Sequence, residues 1–110
     1  MKFRIKKNII LDQLVNVSKA ISSRNIIPIL NGIKFELTEE GLTLMASDTD
    51  LTIRSFIEKE KIESIESTGT IIIQSKFLID IIRKMPSDIV NFEVIDDLKI
   101  MIYTDNSKYN

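Results

Sequence analysis

The chain opens with a strict alternation. Met1, Phe3 and Ile5 are apolar while Lys2, Arg4 and Lys6 are charged, the pattern of a strand with one wet, basic face. The period then changes. Ile10, Leu14, Val17 and Ile21, joined by Leu11, recur at helical spacing and predict an amphipathic helix over 9–21, capped by Asn8, with Asp12, Asn16 and Lys19 on its opposite face. Ser22-Ser23-Arg24-Asn25 ends it in a polar loop. Pro28 removes a ladder donor from Ile26–Leu30, so that stretch is expected to be an extended connector with an edge role.

From Gly32 the period is two. Ile33, Phe35 and Leu37 share a face, Glu39-Glu40-Gly41 makes a turn, and Leu42, Leu44 and Ala46 resume the strand. Ser47–Asp50 is a second turn, after which Leu51, Ile53, Ser55 and Ile57 alternate with Thr52, Arg54, Phe56 and Glu58, completing a three-stranded antiparallel meander. Residues 58–66 form a charged stretch anchored only by Ile62 and Ile65, and Gly69 leads into a short strand at 70–74. Ser75 is a second capping candidate. Phe77, Leu78, Ile81, Ile82 and Met85 predict a helix over 76–85 with Lys76, Asp80, Arg83 and Lys84 away from its apolar stripe, closed by Pro86. Val90, Phe92 and Val94 form the next strand, Asp96-Asp97 a turn, and Leu98, Ile100 and Ile102 its hairpin partner. Asp105-Asn106-Ser107 is another turn, and Lys108-Tyr109-Asn110 begin a strand that is not completed.

The two halves therefore echo each other as strand, helix and hairpin. The fold class expected is α+β: a pseudo-duplicated strand-helix-strands unit, two helices on one side of antiparallel sheet, incomplete at its last strand. A plain α+β sandwich without internal symmetry fits the same pattern.

Composition narrows the chemistry. At 110 residues the chain is one domain, and twenty-two isoleucines weight it toward strands. It holds no Cys and no His, which excludes disulfides, thiolate and imidazole catalysis, and ordinary zinc sites. The three glycines are isolated at turns, so no phosphate-cradling loop exists. Ser18, Ser47 and Ser75 have no His partner and stand in no Ser-x-x-Lys motif. Asp48-Thr49-Asp50 lacks the spaced donors, glycine and closing Glu of a calcium loop, and both it and Asp96-Asp97 are read as turns. The first seven residues alternate charge and so form no signal peptide, and no apolar run reaches membrane-spanning length.

Net charge is -1, but unevenly placed. Residues 1–24 hold six bases and one acid, and the other residues hold nine bases and fifteen acids. With the helices side by side, their outer surfaces would combine Lys7, Asn16, Lys19, Arg24, Lys76, Arg83 and Lys84 against Asp12 and Asp80. Such a surface attracts a phosphate backbone without reading bases, and surface lysines that merely solubilise the protein give the same pattern.

Four segments in series carry a resemblance. M-K-F-R-I-K-K with its helix, Arg24-Asn25-Ile26-Ile27-Pro28-Ile29-Leu30-Asn31-Gly32-Ile33, Ala46-Ser47-Asp48-Thr49-Asp50-Leu51 after Gly41-Leu42-Thr43-Leu44, and Ser75–Pro86 are similar to the N-terminal domain of the bacterial DNA polymerase III beta subunit family, the replication sliding clamps. The resemblance runs through the whole chain. Asn25, Ile26 and the Asn31-Gly32 order depart from the usual motif.

The resemblance implies a non-catalytic, cytoplasmic processivity factor that needs no cofactor or metal, residues 1–110 being its N-terminal clamp domain and the second and third domains lying outside them. In that family two subunits close head-to-tail into a homodimer ring that encircles duplex DNA irrespective of sequence and tethers the replicative polymerase. Polymerase and clamp loader bind through the other domains, and no membrane is involved. Carried over residue by residue, Arg24, Lys76 and Arg83 are expected to face DNA. Lys76, Ile81 and the strand Lys99, Ile100, Met101, Ile102, Tyr103 and Thr104 are expected at the dimer interface. The alternative carried with this reading is a non-catalytic protein-interaction module of the same fold without a DNA role.

Overall fold

A computed structural model describes residues 1–20, 32–47, 51–96 and 99–104, and of residues 75–77 the backbone alone. The alternating opening forms strand β1 (Lys2–Lys6), which turns directly into helix α1 (Lys7–Ser18). The period-two region gives β2 (Gly32–Thr38), β3 (Gly41–Ser47) and β4 (Thr52–Glu58), followed by a 3-10 turn (Lys59–Lys61) and β5 (Ile62–Ser67). Next come β6 (Gly69–Gln74), α2 (Ser75–Arg83), β7 (Ile89–Asp96) and β8 (Lys99–Tyr103). The Pro28 connector and the turns at 48–50 and 105–107 lie outside the described residues.

The strands divide into two four-stranded antiparallel sheets, ordered β5-β1-β7-β8 and β4-β3-β2-β6. The meander β2-β3-β4 stands as expected, in uninterrupted register from Ile33 opposite Ala46 to Ala46 opposite Ile53. The pairing between the halves is reciprocal. The first strand of the first half, β1, pairs with β7 of the second, and the first strand of the second, β6, pairs with β2 of the first. Each half thus completes the other's sheet, a two-fold-like exchange that supports the duplicated reading.

One core results. Ile10, Leu14 and Val17 of α1 and Leu78 and Ile82 of α2 are buried against Phe3, Ile5, Ile33, Phe35, Leu42, Leu44, Val90 and Phe92 from both sheets. Each such side chain contributes about 1.5–3 kcal/mol by leaving water. Phe92 joins the layers. Its ring stacks on Phe3 at 4.8 Å and tilts against Phe35 at 6.0 Å. The helices touch each other, and α1 also reaches β1, β3 and β4, where Ser55 Oγ donates to Gln13 Oε1.

Local expectations need correcting at four places. Asn8 is not the cap of α1: the helix starts at Lys7, and extended Lys6 precedes it without a side-chain capping bond. Ser75 is likewise the first helical residue of α2, after extended Gln74. Ile81 leaves the apolar stripe and is 45 % exposed, while Leu78 and Ile82 are buried. The charged stretch also contains a strand, β5, which the Ile62 and Ile65 spacing concealed.

Candidate nucleic-acid interface

Strand-to-helix continuity positions the helix pair. The backbone N–H of Lys7 donates to the Asp88 carbonyl at 2.7 Å, and its Nζ donates to the Met85 carbonyl at 2.9 Å. The start of α1 is thereby tied to the segment just after α2. Half-buried and hydrogen-bonded there, Lys7 is a structural cation and leaves the basic surface predicted for it.

The solvent side of the helices carries Asp12, Asn16 and Lys19 from α1 and its C-terminal cap, and Asp80, Arg83 and Lys84 from α2 and its cap, all exposed. Arg83 Nη1 lies 3.5 Å from Asp80 Oδ1, three residues earlier on the same helix, with both side chains more than half exposed. That ion pair adds little stability in water, but it offsets the field of Arg83. The i,i+3 spacing of Asp80 and Arg83 was the signal in the sequence. Lys19 and Lys84 have no carboxylate partner among the described residues. Arg24 lies outside the described residues, and Lys76 is placed on α2 by its backbone alone.

The strand predicted for an interface, β8, ends its sheet and pairs only with β7 among the described residues. Lys99 and Met101 are exposed, the latter by 44 %, while Ile100, Ile102 and Tyr103 are half-buried and Thr104 is buried. Asn91 reaches across to donate from Nδ2 to the Tyr103 carbonyl at 3.3 Å. With Ile81 at 45 % exposure, Met101 adds a second large apolar side chain open to water. The outer face of the other sheet holds Phe56 and Ile72, both 53 % exposed, around a shallow depression of about 140 Å³ lined by Lys34, Glu36, Thr43, Met45 and Arg54. Their alternation with core residues was legible, their degree of exposure was not.

At the opposite end of β1, Lys2 Nζ sits 3.2 Å from Glu66 and 3.6 Å from Glu93. The hydrogen bond to Glu66, then the charges of Glu66 and Glu93, raise the Lys2 ammonium above its ordinary value. Among the described residues no group of three potential ligands for a metal ion comes together, and no helix is long and apolar enough to cross a membrane.

The sequence matches the family described as DNA polymerase III beta subunit, N-terminal domain, over residues 1–110. It is 38 % identical over 114 residues to the beta sliding clamp of Bacillus subtilis and 34 % identical to that of Staphylococcus aureus, in each case along its whole length. The chain spans 30 % of the length of these relatives. Superposed on the crystal structure of the DNA polymerase sliding clamp from Bacillus subtilis, it gives a TM-score of 0.91 at 37 % identity, over all of this chain and 30 % of that one. The Helicobacter pylori beta clamp bound to a DNA ligase peptide gives 0.86 at 27 % identity, over 99 % of this chain and 29 % of that one.

Proposed function

The chain belongs to the DNA polymerase III beta subunit family, whose N-terminal domain it spans, and from that premise we propose that it is the first domain of a ring-forming sliding clamp. The clamp is non-catalytic, acts in the cytoplasm, encircles duplex DNA and tethers the replicative polymerase. The observation that carries this reading is the match of fold and sequence along residues 1–110. It is supported by a helix pair whose exposed side offers cations, Lys19, Arg83 and Lys84, on a chain of net charge -1.

Arg24, Lys76 and Arg83 face the duplex in this proposal and attract phosphate without reading bases. Tight contacts would oppose sliding, and topology does the holding. Ile81, Lys76 and β8 with Thr104 meet the other subunit, β8 offering its edge for sheet continuation. The second and third domains lie beyond these residues. They receive polymerase, clamp loader and other peptide-bearing partners, in keeping with the ligase peptide bound by the Helicobacter pylori clamp.

The test is retention on nicked circular DNA from about 25 to about 200 mM salt, full-length parent against Arg24→Glu/Lys76→Glu/Arg83→Glu. The triple variant is expected to lose retention at low salt while remaining folded. Coincident curves at every salt concentration remove these residues from the DNA side. For the interface, Ile81→Glu with Met101→Glu is expected to halve the mass seen by light scattering; an intact dimer refutes the assignment.

A further inference from the structure

The sheet built on the meander has a second face, turned away from the core. Ile33, Phe35, Leu42, Leu44 and Ala46 point inward, so their neighbours on β2 and β3, with the matching residues of β4 and β6, point outward. Register aligns these in two rows across the sheet. One runs Arg54, Met45, Lys34, Ile72 from β4 to β6, and the next runs Phe56, Thr43, Glu36, Thr70. Phe56 and Ile72, both more than half exposed, stand on the two outer strands of that order, and the depression of about 140 Å³ lies between them.

Met45 floors the depression, with a cation on either side. Arg54 is its register partner on β4 and Lys34 its register partner on β2, two strand spacings apart, or about 10 Å. Lys34 Nζ lies 3.7 Å from Glu36 Oε2, a loose pair in which both side chains are partly exposed. Arg54 is exposed and makes no ion pair among the described residues. Two cations against Glu36 leave the rows with excess positive charge over a polarizable apolar floor. Phe56 also screens the Gly41 backbone, so Ile72 is the cleaner probe of this surface.

Size selects the occupant. The rows span four strands by two outward residues, about 19 by about 14 Å, or roughly 260 Å². A stable contact between folded copies needs about 800 Å² from each, so this face holds a short extended segment rather than a second copy. Spacing then selects its sequence. Side chains on one face of an extended chain recur every ~6.8 Å. With an apolar residue on Phe56 at β4, the next same-face residue lies about 6.8 Å in, above Met45 and between Arg54 and Lys34. The one after it lies about 13.6 Å in, beside Ile72 on β6, which is about 14.4 Å away.

We propose that this face docks an acidic-apolar segment of a partner protein, of the form apolar-x-acid-x-apolar, whose carboxylate is bridged by Arg54 and Lys34. The guanidinium offers the carboxylate a planar fork, and Lys34 adds a second donor by exchanging Glu36 for the incoming acid. The spacing is symmetrical, so the segment fits in either direction. Glu36 repels the same carboxylate, so its removal has an effect of opposite sign. The inference concerns the sheet face alone and does not rest on the clamp reading.

The probe is a fluorescein-labelled, C-terminally amidated peptide, Gly-Gly-Leu-Ser-Glu-Ser-Leu-Gly-Gly, titrated with the full-length protein by anisotropy at about 50 mM salt, where surface charge is weakly screened. Its counterpart with Gln for Glu is the control. Saturable binding of the acidic peptide is expected, weaker by about fivefold in the Gln peptide and in Arg54→Gln, the loss of one exposed ion pair. Ile72→Thr keeps a β-branched residue in the strand and is expected to weaken binding about fivefold. Glu36→Gln is expected to tighten it about twofold. Lys61→Gln, on the 3-10 turn, is expected to bind like the parent. An unchanged Tm shows that each variant is folded, and the Gln peptide tests the carboxylate on the parent itself. A parent that does not bind the acidic peptide overturns the proposal. So does equal affinity for the two peptides, or an Arg54→Gln variant that binds like the parent, which places the peptide elsewhere on the protein. Association beyond the parent's own oligomer, seen by light scattering and lost in Ile72→Thr, assigns the face to a second copy and overturns it as well. Retention on DNA is measured separately, so failure here leaves the clamp reading untouched.

Discussion

Replacing Phe92 by alanine probes the contact on which the two-sheet core depends. The Phe92 side chain is fully buried, stacked on Phe3 with planes 2° apart and tilted against Phe35 by 38°. Phe3 is its register partner on β1, and Phe35 comes from the other sheet. Burial sets the loss at about 3–5 kcal/mol for the transfer and cavity terms together. Two aromatic neighbours, each worth about 0.5–1.5 kcal/mol beyond area, place it in the upper half of that range. For a domain of this size the equivalent fall in Tm is about 20 °C, a large share of a total stability of about 5–15 kcal/mol. Phe92→Leu retains apolar volume, so it keeps a measurable transition with a loss of about 1–2 kcal/mol. The comparison is Phe56→Ala on the outer sheet face, where the ring is 53 % exposed and its Cζ overhangs Gly41; about 1 kcal/mol is expected there. Urea and thermal denaturation followed by far-UV circular dichroism give the values, with constant m-values as the control for two-state behaviour. A Phe92→Ala loss under about 1.5 kcal/mol, or one no larger than that of Phe56→Ala, refutes the account of the core.

Two further expectations follow from backbone and charge. Gly41 has φ +149°, and a Cβ there would overlap the Ile57 carbonyl oxygen on the neighbouring strand; at Gly69, φ +157°, the nearest atom would be Met1 Cβ at 3.3 Å. Gly41→Ala should therefore cost more than about 3 kcal/mol and Gly69→Ala about 1–2, and equal denaturation midpoints would contradict the difference in space. Lys2, raised above its ordinary 10.5 by Glu66 and then Glu93, contributes stability fully present below its unfolded value and lost as pH rises through its folded one. Lys2→Met should flatten the decline of Tm between about pH 9 and about pH 12, and an unchanged slope there would exclude this linkage.

What the sequence disclosed, and what it hid, follows from the range of each interaction. Helix stripes, the meander and the echo between halves are local, so periodicity revealed them. Strand β5 is nearly as local but is bulged. Phe3 pairs with Ile65 and Ile5 with Ile62, so two steps along β1 correspond to three along β5, and the inward isoleucines lose their period of two. Both helix starts were misplaced because Asn8 and Ser75 have capping chemistry, whereas the chain turns straight from strand to helix and places each of them inside the first turn. Lys7 looked like a surface cation because the carbonyl it serves, Met85, is 78 residues away. At the candidate site the sign of the charges was legible. The Asp80–Arg83 pairing was available in the spacing, and Arg24 still rests on the resemblance.

The exchange of first strands is the feature periodicity cannot carry, because alternation says which face of a strand is buried but not which strand lies beside it. It also has a consequence for assembly. β1 lies between β5 and β7 in one sheet, whereas β6 stands at an end of the other, so the outer strands among the described residues are β5 and β8 in the order β5-β1-β7-β8 and β4 and β6 in the order β4-β3-β2-β6. In the proposed clamp an outer strand of a sheet would supply a pairable edge, while α1 and α2 touch each other across the two halves. A heterologous contact repeated through such edges closes into a ring if the rotation permits, and sheets continued edge to edge would form its wall. In the proposed clamp the outer strands would make the closing contacts, while the exchange of β1 and β6 ties the two halves together and brings their helices, with the cations they bear, side by side toward the enclosed duplex.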